Sequence, residues 1–219
     1  MQQLSQKLCL LVKDGISMTK ENAVTTLGTV VEKVGEDFIP YFAESMDFIL
    51  TYLAEFHQPE YKQYRGQAIE TITIICSAVG LDTFRPVAQR VVEAMLAIQT
   101  GQLDKRDSQR IYLLGAWQRV CLLMKGEFAP YLAGVLPSVL SMAALSPEMG
   151  VSGQENLAEL TDVLKEVTPA ASGEEKKLNV VTDELEEKDV ALQMLSVFID
   201  EVPEVCYDYI SQLSTLLMA

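Results

Sequence analysis

The sequence predicts an all-α solenoid of antiparallel helix pairs, about four of them behind a partial leading helix. Three observations carry this. Apolar positions recur about every 45 residues, superposing Ala23, Ala68 and Leu113; Leu27, Ile72 and Trp117; Val31, Cys76 and Cys121; and Val34, Val79 and Met124. A longer shift takes the same positions to Ala191, Leu195, Ile199 and Val202. One corner also recurs between the helices of each pair. Gly35 leads to Phe38, Pro40 and Tyr41; Gly80 to Phe84 and Pro86; Gly126 to Phe128, Pro130 and Tyr131; a degenerate copy runs from Val202-Pro203 to Cys206 and Tyr209. Finally, each period holds two apolar stripes at helical spacing. Two helices in a unit of this length are the mark of a HEAT-type repeat, which stacks into a right-handed superhelix.

The corner has a physical logic. Its glycines follow an apolar run, where a helix ends on a residue tolerant of positive φ. Its prolines open the next run, where the missing N–H is harmless and the fixed φ suits a helix start. Its phenylalanines can plug the gap between the paired helices.

Residues 2–13, with Leu4, Leu8, Leu11 and Val12, read as the trailing helix of an earlier repeat, so the chain looks cut from something longer. The first repeat spans about 17–57. Its first helix, about 19–35, is capped by Ser17 or Thr19 and carries Ala23, Leu27, Val30, Val31 and Val34. Its second, about 39–56, carries Phe42, Met46, Ile49, Leu50 and Leu53. The second repeat spans 60–100. Ala68, Ile69, Ile72, Ile75, Cys76 and Val79 line its first helix, and Val87, Val91, Val92, Met95, Leu96 and Ile98 its second, with Asp82 as N-cap. The third spans 107–146, with Ile111, Leu114, Trp117, Cys121 and Leu122 as core candidates. Its second helix holds no charged residue from Phe128 to Leu145, so it is more buried than its counterparts or faces a partner; Pro137 kinks or splits it.

Residues 146–184 break the period with Pro147, Gly150, Gly153, Pro169 and Gly173, and hold nine acidic residues against three lysines. They read as an insertion loop with one short helix, signalled by the capping box Ser152-Gly153-Gln154-Glu155 and by Leu157, Leu160, Val163, Leu164 and Val167. The last repeat spans 185–219. Neither end of the chain carries the polar cap that a solenoid terminus needs.

The 219 residues are 49% apolar and carry a formal net charge of −14. That charge argues against direct nucleic-acid binding, which needs a basic surface, and suits a basic protein partner. The four cysteines, Cys9, Cys76, Cys121 and Cys206, lie far apart on apolar stripes and read as small buried residues in a reducing compartment. No apolar run reaches about 18 residues, so no membrane insertion is expected. Met1 to Asp14 lacks the features of a signal peptide.

No catalytic, cofactor or metal site is legible. The single histidine, His57, sits in a loop beside Pro59 and reads as a solvated imidazole. Nucleophile-elbow, Walker and dinucleotide motifs are absent. Trp117 and the tyrosines lie at core spacing. The polar set that draws notice is Glu44, Asp47, Glu55, Glu93 and Asp208, all placed on second helices. In HEAT stacks those helices line the concave face, so these carboxylates are either an ordinary solvated surface or a meeting place for the lysines of an extended ligand.

Several runs resemble the central part of karyopherin-β (importin-β) proteins of the importin-five branch, also called importin beta three. They are Arg65-Gly66-Gln67-Ala68-Ile69-Glu70 followed by Ala78-Val79-Gly80, the corner Phe38-Ile39-Pro40-Tyr41, Ala116-Trp117, and Leu185-Glu186-Glu187-Lys188 with Gln193-Met194-Leu195. The resemblance covers nearly the whole chain in order. It departs in the insertion, densely acidic in the family but mixed here from Ala158 to Lys177. It implies a nuclear import receptor that carries basic cargo with nuclear localisation signals through the nuclear pore, shuttling between cytoplasm and nucleus under control of the Ran GTPase in its GTP form. The main Ran contact would lie in repeats outside this chain. Phe-Gly nucleoporins would insert between neighbouring first helices on the convex side. A HEAT scaffold subunit of a multiprotein complex, with no transport role, is the alternative that the repeat period alone leaves open.

Overall fold

The computed structural model describes residues 2–101, 103, 107–144 and 174–217. Eleven α-helices run through them: α1 (Gln2–Asp14), α2 (Ser17–Val34), α3 (Ile39–Glu55), α4 (Lys62–Val79), α5 (Leu81–Phe84), α6 (Ala88–Thr100), α7 (Gln109–Met124), α8 (Ala129–Ala143), α9 (Glu174–Glu201), α10 (Pro203–Cys206) and α11 (Ile210–Leu217). Short 3-10 turns join several of them, and no strand occurs among the described residues. The first helices α2, α4, α7 and α9 pack one against the next, and so do the second helices α3, α6, α8 and α11. Helix α1 lies across α2 and α3, where the trailing helix of a preceding unit would sit. This is the α-solenoid that the period predicts.

The apolar stripes converge on one continuous core. Val24, Leu27, Val31, Ile69, Ile72, Ile75, Cys76, Trp117 and Cys121 from the first helices are closed off from solvent. Each fully buried aliphatic or aromatic side chain contributes about 1.5–3 kcal/mol. Phe38, Phe84 and Phe128 are completely buried, as their place in the corner predicts. Phe128 stacks on Phe198 of α9 at 5.6 Å and meets Trp117 edge-on at 6.1 Å. Gly66 lets α4 and α7 approach closely: a Cβ there would fall 2.3 Å from the Tyr112 ring.

Hydrogen bonds joining residues one repeat apart tie the units together. Thr71 donates to the Val24 carbonyl, Gln63 to the Tyr112 hydroxyl, Ser108 to Gln63, and Arg119 to Thr73 and Glu70. At the corners, Arg85 grips Glu127 with two bonds, 2.9 and 3.2 Å, and holds Asp82 at 2.9 Å. Between α7 and α9, Arg110 and Glu187 form a largely buried pair at 3.1 Å.

Several local expectations are corrected. Gly35 and Gly80 carry positive φ (57° and 81°), but in the third corner Lys125, not Gly126, does so at 51°. Lys125 is the residue 45 past Gly80, so the backbone keeps the period where the glycine does not. Ser17 is the first residue of α2 rather than its cap and donates to Glu21 at 3.0 Å. Asp82 lies within α5 and pairs with Arg85 instead of capping. In α9, Ile199 is 42% exposed because Phe198 takes the inward place against Phe128. Leu4, Leu11, Ile111 and Leu122 also point outward, and Leu113, Ala116 and Val120 complete the α7 core in place of the last two. Of the two outcomes expected at Pro137, the split does not occur: α8 continues through it as one helix. Its outer side is not unusually buried: exposed Ala133, Gly134, Pro137 and Ser141 cover it with small residues rather than charges. Helix α7 followed by α8 is apolar enough to approach a membrane-span composition, but the Lys125 turn divides it into helices of 16 and 15 residues. The fourth unit's first helix begins at Glu174, not near 185. From there to Pro203 no glycine or proline interrupts it. The short helix expected around 155–167 lies outside the described residues.

Candidate protein-binding face

The second-helix row is built from amphipathic stripes. On α3, Phe42, Met46, Ile49, Leu50 and Leu53 point inward, which leaves Glu44, Asp47 and Glu55 exposed on the opposite side. On α6, burial of Val91, Val92 and Met95 turns Gln89, Arg90 and Glu93 outward. The two helices are neighbours, and the Nη2 of Arg90 donates to Oδ1 of Asp47 at 2.9 Å. Glu44 stands three residues before Asp47 and Glu93 three after Arg90, one helical turn in each case. Glu93 accepts a hydrogen bond from Gln89 at 2.9 Å.

The structure therefore places Asp47 on the seam between α3 and α6, held by Arg90, with Glu44 and Glu93 each one helical turn from that pair on its own helix; Glu44 also faces Cys9 of α1. Glu55 is farther off, about 16 Å along α3 from Glu44, at the last residue of the helix, where its carbonyl meets the Nδ1 of exposed His57. Asp208 is not on a helix: it lies in the 3-10 turn Tyr207–Tyr209 between α10 and α11. Charge-free α8 separates it from the others, because α11 packs against α8 rather than α6.

The sequence reading did not find Arg90. Its separation from Asp47, 43 residues, is close to the repeat period, and the opposite signs of two second-helix residues one repeat apart were the available signal.

A second feature lies at the loop end of the same seam. A groove of about 390 Å³ opens between α3 and α6, walled by Leu50, Leu53, Ala94, Ala97 and Ile98, with Asp107 at its end. Asp107 is buried, 2.8 Å from Lys62 Nζ, and accepts from the Gln109 backbone N–H at 3.1 Å and side-chain amide at 2.9 Å. Burial pushes its carboxyl up, but the hydrogen bonds from Lys62 and Gln109 together outweigh it and hold the group below its ordinary range. Arg65 continues the network, donating from Nε to Gln109 at 2.9 Å and from Nη1 to the carbonyls of Phe56 and Gln58. This constellation fixes the turn between repeats and contains no nucleophile paired with a base. Among the described residues, no three His, Cys, Asp or Glu side chains converge on a metal position.

No protein-family model matches the chain. Importin subunit beta-3 of Saccharomyces cerevisiae is 26% identical over 195 residues, 89% of this chain and 18% of that protein. A probable importin-5 homolog of Dictyostelium discoideum is 23% identical over 193 residues, 88% of this chain and 16% of that protein. The structure of Kap121p bound to Pho4p superposes with a TM-score of 0.73 at 23% identity, covering 96% of this chain and 19% of that one. The structural likeness shows the fold. The chain spans less than a fifth of the length of these curated relatives.

Proposed function

We propose that this chain, a relative of the importin-five branch of the karyopherin-β proteins, is a receptor segment that binds basic protein cargo on its second-helix face for transport through the nuclear pore. The observation that carries the reading is the exposure of Glu44, Asp47 and Glu93 on the neighbouring second helices α3 and α6 of a chain with net charge −14. An anionic face on a repeat stack attracts lysine-rich segments and steers their encounter. Kap121p, whose fold this chain shares, has been solved bound to Pho4p, to Ste12p, to Nup53p and to RanGTP. Basic cargo and a nucleoporin are accordingly the partners proposed, with Ran-GTP acting mainly through repeats outside this chain and with shuttling between cytoplasm and nucleus. The relatives are named as importins, which favours transport over a scaffold role and over an enzyme.

The test is fluorescence anisotropy of a labelled lysine-rich peptide titrated with the chain at low and physiological salt, against a neutral peptide of equal length. Saturable binding that weakens with salt and is lost in Glu44→Lys, Asp47→Lys and Glu93→Lys supports the reading. Equal binding of the two peptides, or indifference to all three substitutions, rejects this face as the cargo surface.

A further inference from the structure

Two of the arginines that bridge neighbouring repeats, Arg85 and Arg90, are held very differently. Arg85 is locked: it binds both oxygens of Glu127 and one of Asp82. Arg90 reaches its partner through one bond, Nη2 to Oδ1 of Asp47 at 2.9 Å, and no other hydrogen bond of Arg90 accompanies it among the described residues. Its side chain is 52% exposed and that of Asp47 69%. An exposed, single-bonded pair is weak and exchanges readily. Arg90 stands one helical turn from Glu93, and Asp47 one turn from Glu44, so an exposed carboxylate flanks each member of the pair along its own helix.

We infer that Arg90 is a built-in competitor: its guanidinium occupies, on Asp47, the position that a ligand's lysine takes when a basic peptide binds this face. The inference rests on the cargo-face reading and adds to it a regulating residue. A ligand ammonium arriving at Asp47 displaces a cation rather than filling a bare carboxylate, so Arg90 lowers the affinity for basic segments that offer a single charge. Segments with two or three lysines, able to use Glu44 and Glu93 as well, are less affected. Arg90 thereby sets a threshold of ligand charge.

The experiment compares the wild-type chain with Arg90→Ala, Arg85→Ala, Asp47→Asn and Arg90→Ala/Asp47→Asn, using anisotropy with peptides carrying one lysine and three lysines at fixed length. Thermal melts confirm that each variant is folded. Arg85→Ala removes the same charge away from the seam and so measures the bulk effect. The expected result is that Arg90→Ala tightens the one-lysine peptide about two- to fivefold, more than Arg85→Ala does. The gain disappears in the Asp47→Asn background, as a direct coupling requires, and is smaller for the three-lysine peptide. Wild-type binding that Arg90→Ala leaves unchanged or weakens overturns the inference while leaving the cargo face standing. So does a gain matched by Arg85→Ala or persisting in Asp47→Asn. If neither the wild type nor Arg90→Ala binds any basic peptide, both the face and the competitor fall. If only Arg90→Ala binds, the competitor role holds.

Discussion

Lys125 is the residue at which local chemistry and fold disagree most openly. Its φ of 51° and ψ of −128° nearly repeat those of Gly35, 57° and −131°, a conformation that costs a residue with a Cβ about 1–3 kcal/mol. Lys125→Gly is expected to raise the unfolding free energy by about 1 kcal/mol, read from urea denaturation. The adjacent Gly126 has no positive φ, and a Cβ there meets nothing within 4 Å. Gly126→Lys added to that variant therefore keeps the gain. The cysteines give a second prediction. Burial pushes the Cys121 thiol up to about 12, helped by Glu201 and Cys206, and burial raises Cys76 and Cys206 as well. Cys9 is half-buried, and its thiol too is raised by burial and by Glu44. Since the thiolate is the reacting form, iodoacetamide at pH 8 should label Cys9 slowly and the other three only after denaturation, as intact-mass measurement would show.

At the scale of elements, the core stripes were the most legible part of the chain. All five inward residues assigned to α3 and all six assigned to α4 are buried, because a half-buried helix enforces its 3.6-residue period directly on apolar side chains. The errors fall where a helix face is shared. The long shift from the first helix places Ile199 inward, whereas the stripe Ala191, Met194, Leu195, Phe198 and Val202 at helical spacing puts Phe198 inward, stacked on Phe128. Ahead of α7, Asp107 is one of the most buried charges among the described residues. A carboxyl with a folded pKa below its unfolded value stabilises the fold above the unfolded value, and that stabilisation is lost as pH falls through the folded value. Asp107→Asn should thus cost roughly 1–2 kcal/mol at pH 7. The difference from wild type should shrink below about pH 4 as the wild-type carboxyl protonates. Urea midpoints at pH 7 and pH 3 read this out; an equal deficit at both would assign the role to packing rather than charge.

For the molecule as a whole, the decisive quantity is charge against a repetitive frame. Binding of a lysine-rich peptide should fall steeply between low and physiological salt, since exposed charges are screened over about 8 Å at 0.15 M, and salt-jump anisotropy on one sample measures it. A salt-independent affinity would point instead to the apolar groove between α3 and α6. The repeat, the helical class, the buried phenylalanines of the corners and the resemblance to importins were all readable without coordinates. Each depends on residues close in sequence, or on one pattern repeated. Tertiary structure alone decided that Asp47 already holds Arg90, that Asp208 stands apart, and that Asp107 is buried with Lys62. Those outcomes depend on how far one repeat is turned and shifted against the next, a quantity set by the packing of whole helices and written in no single stretch of the chain.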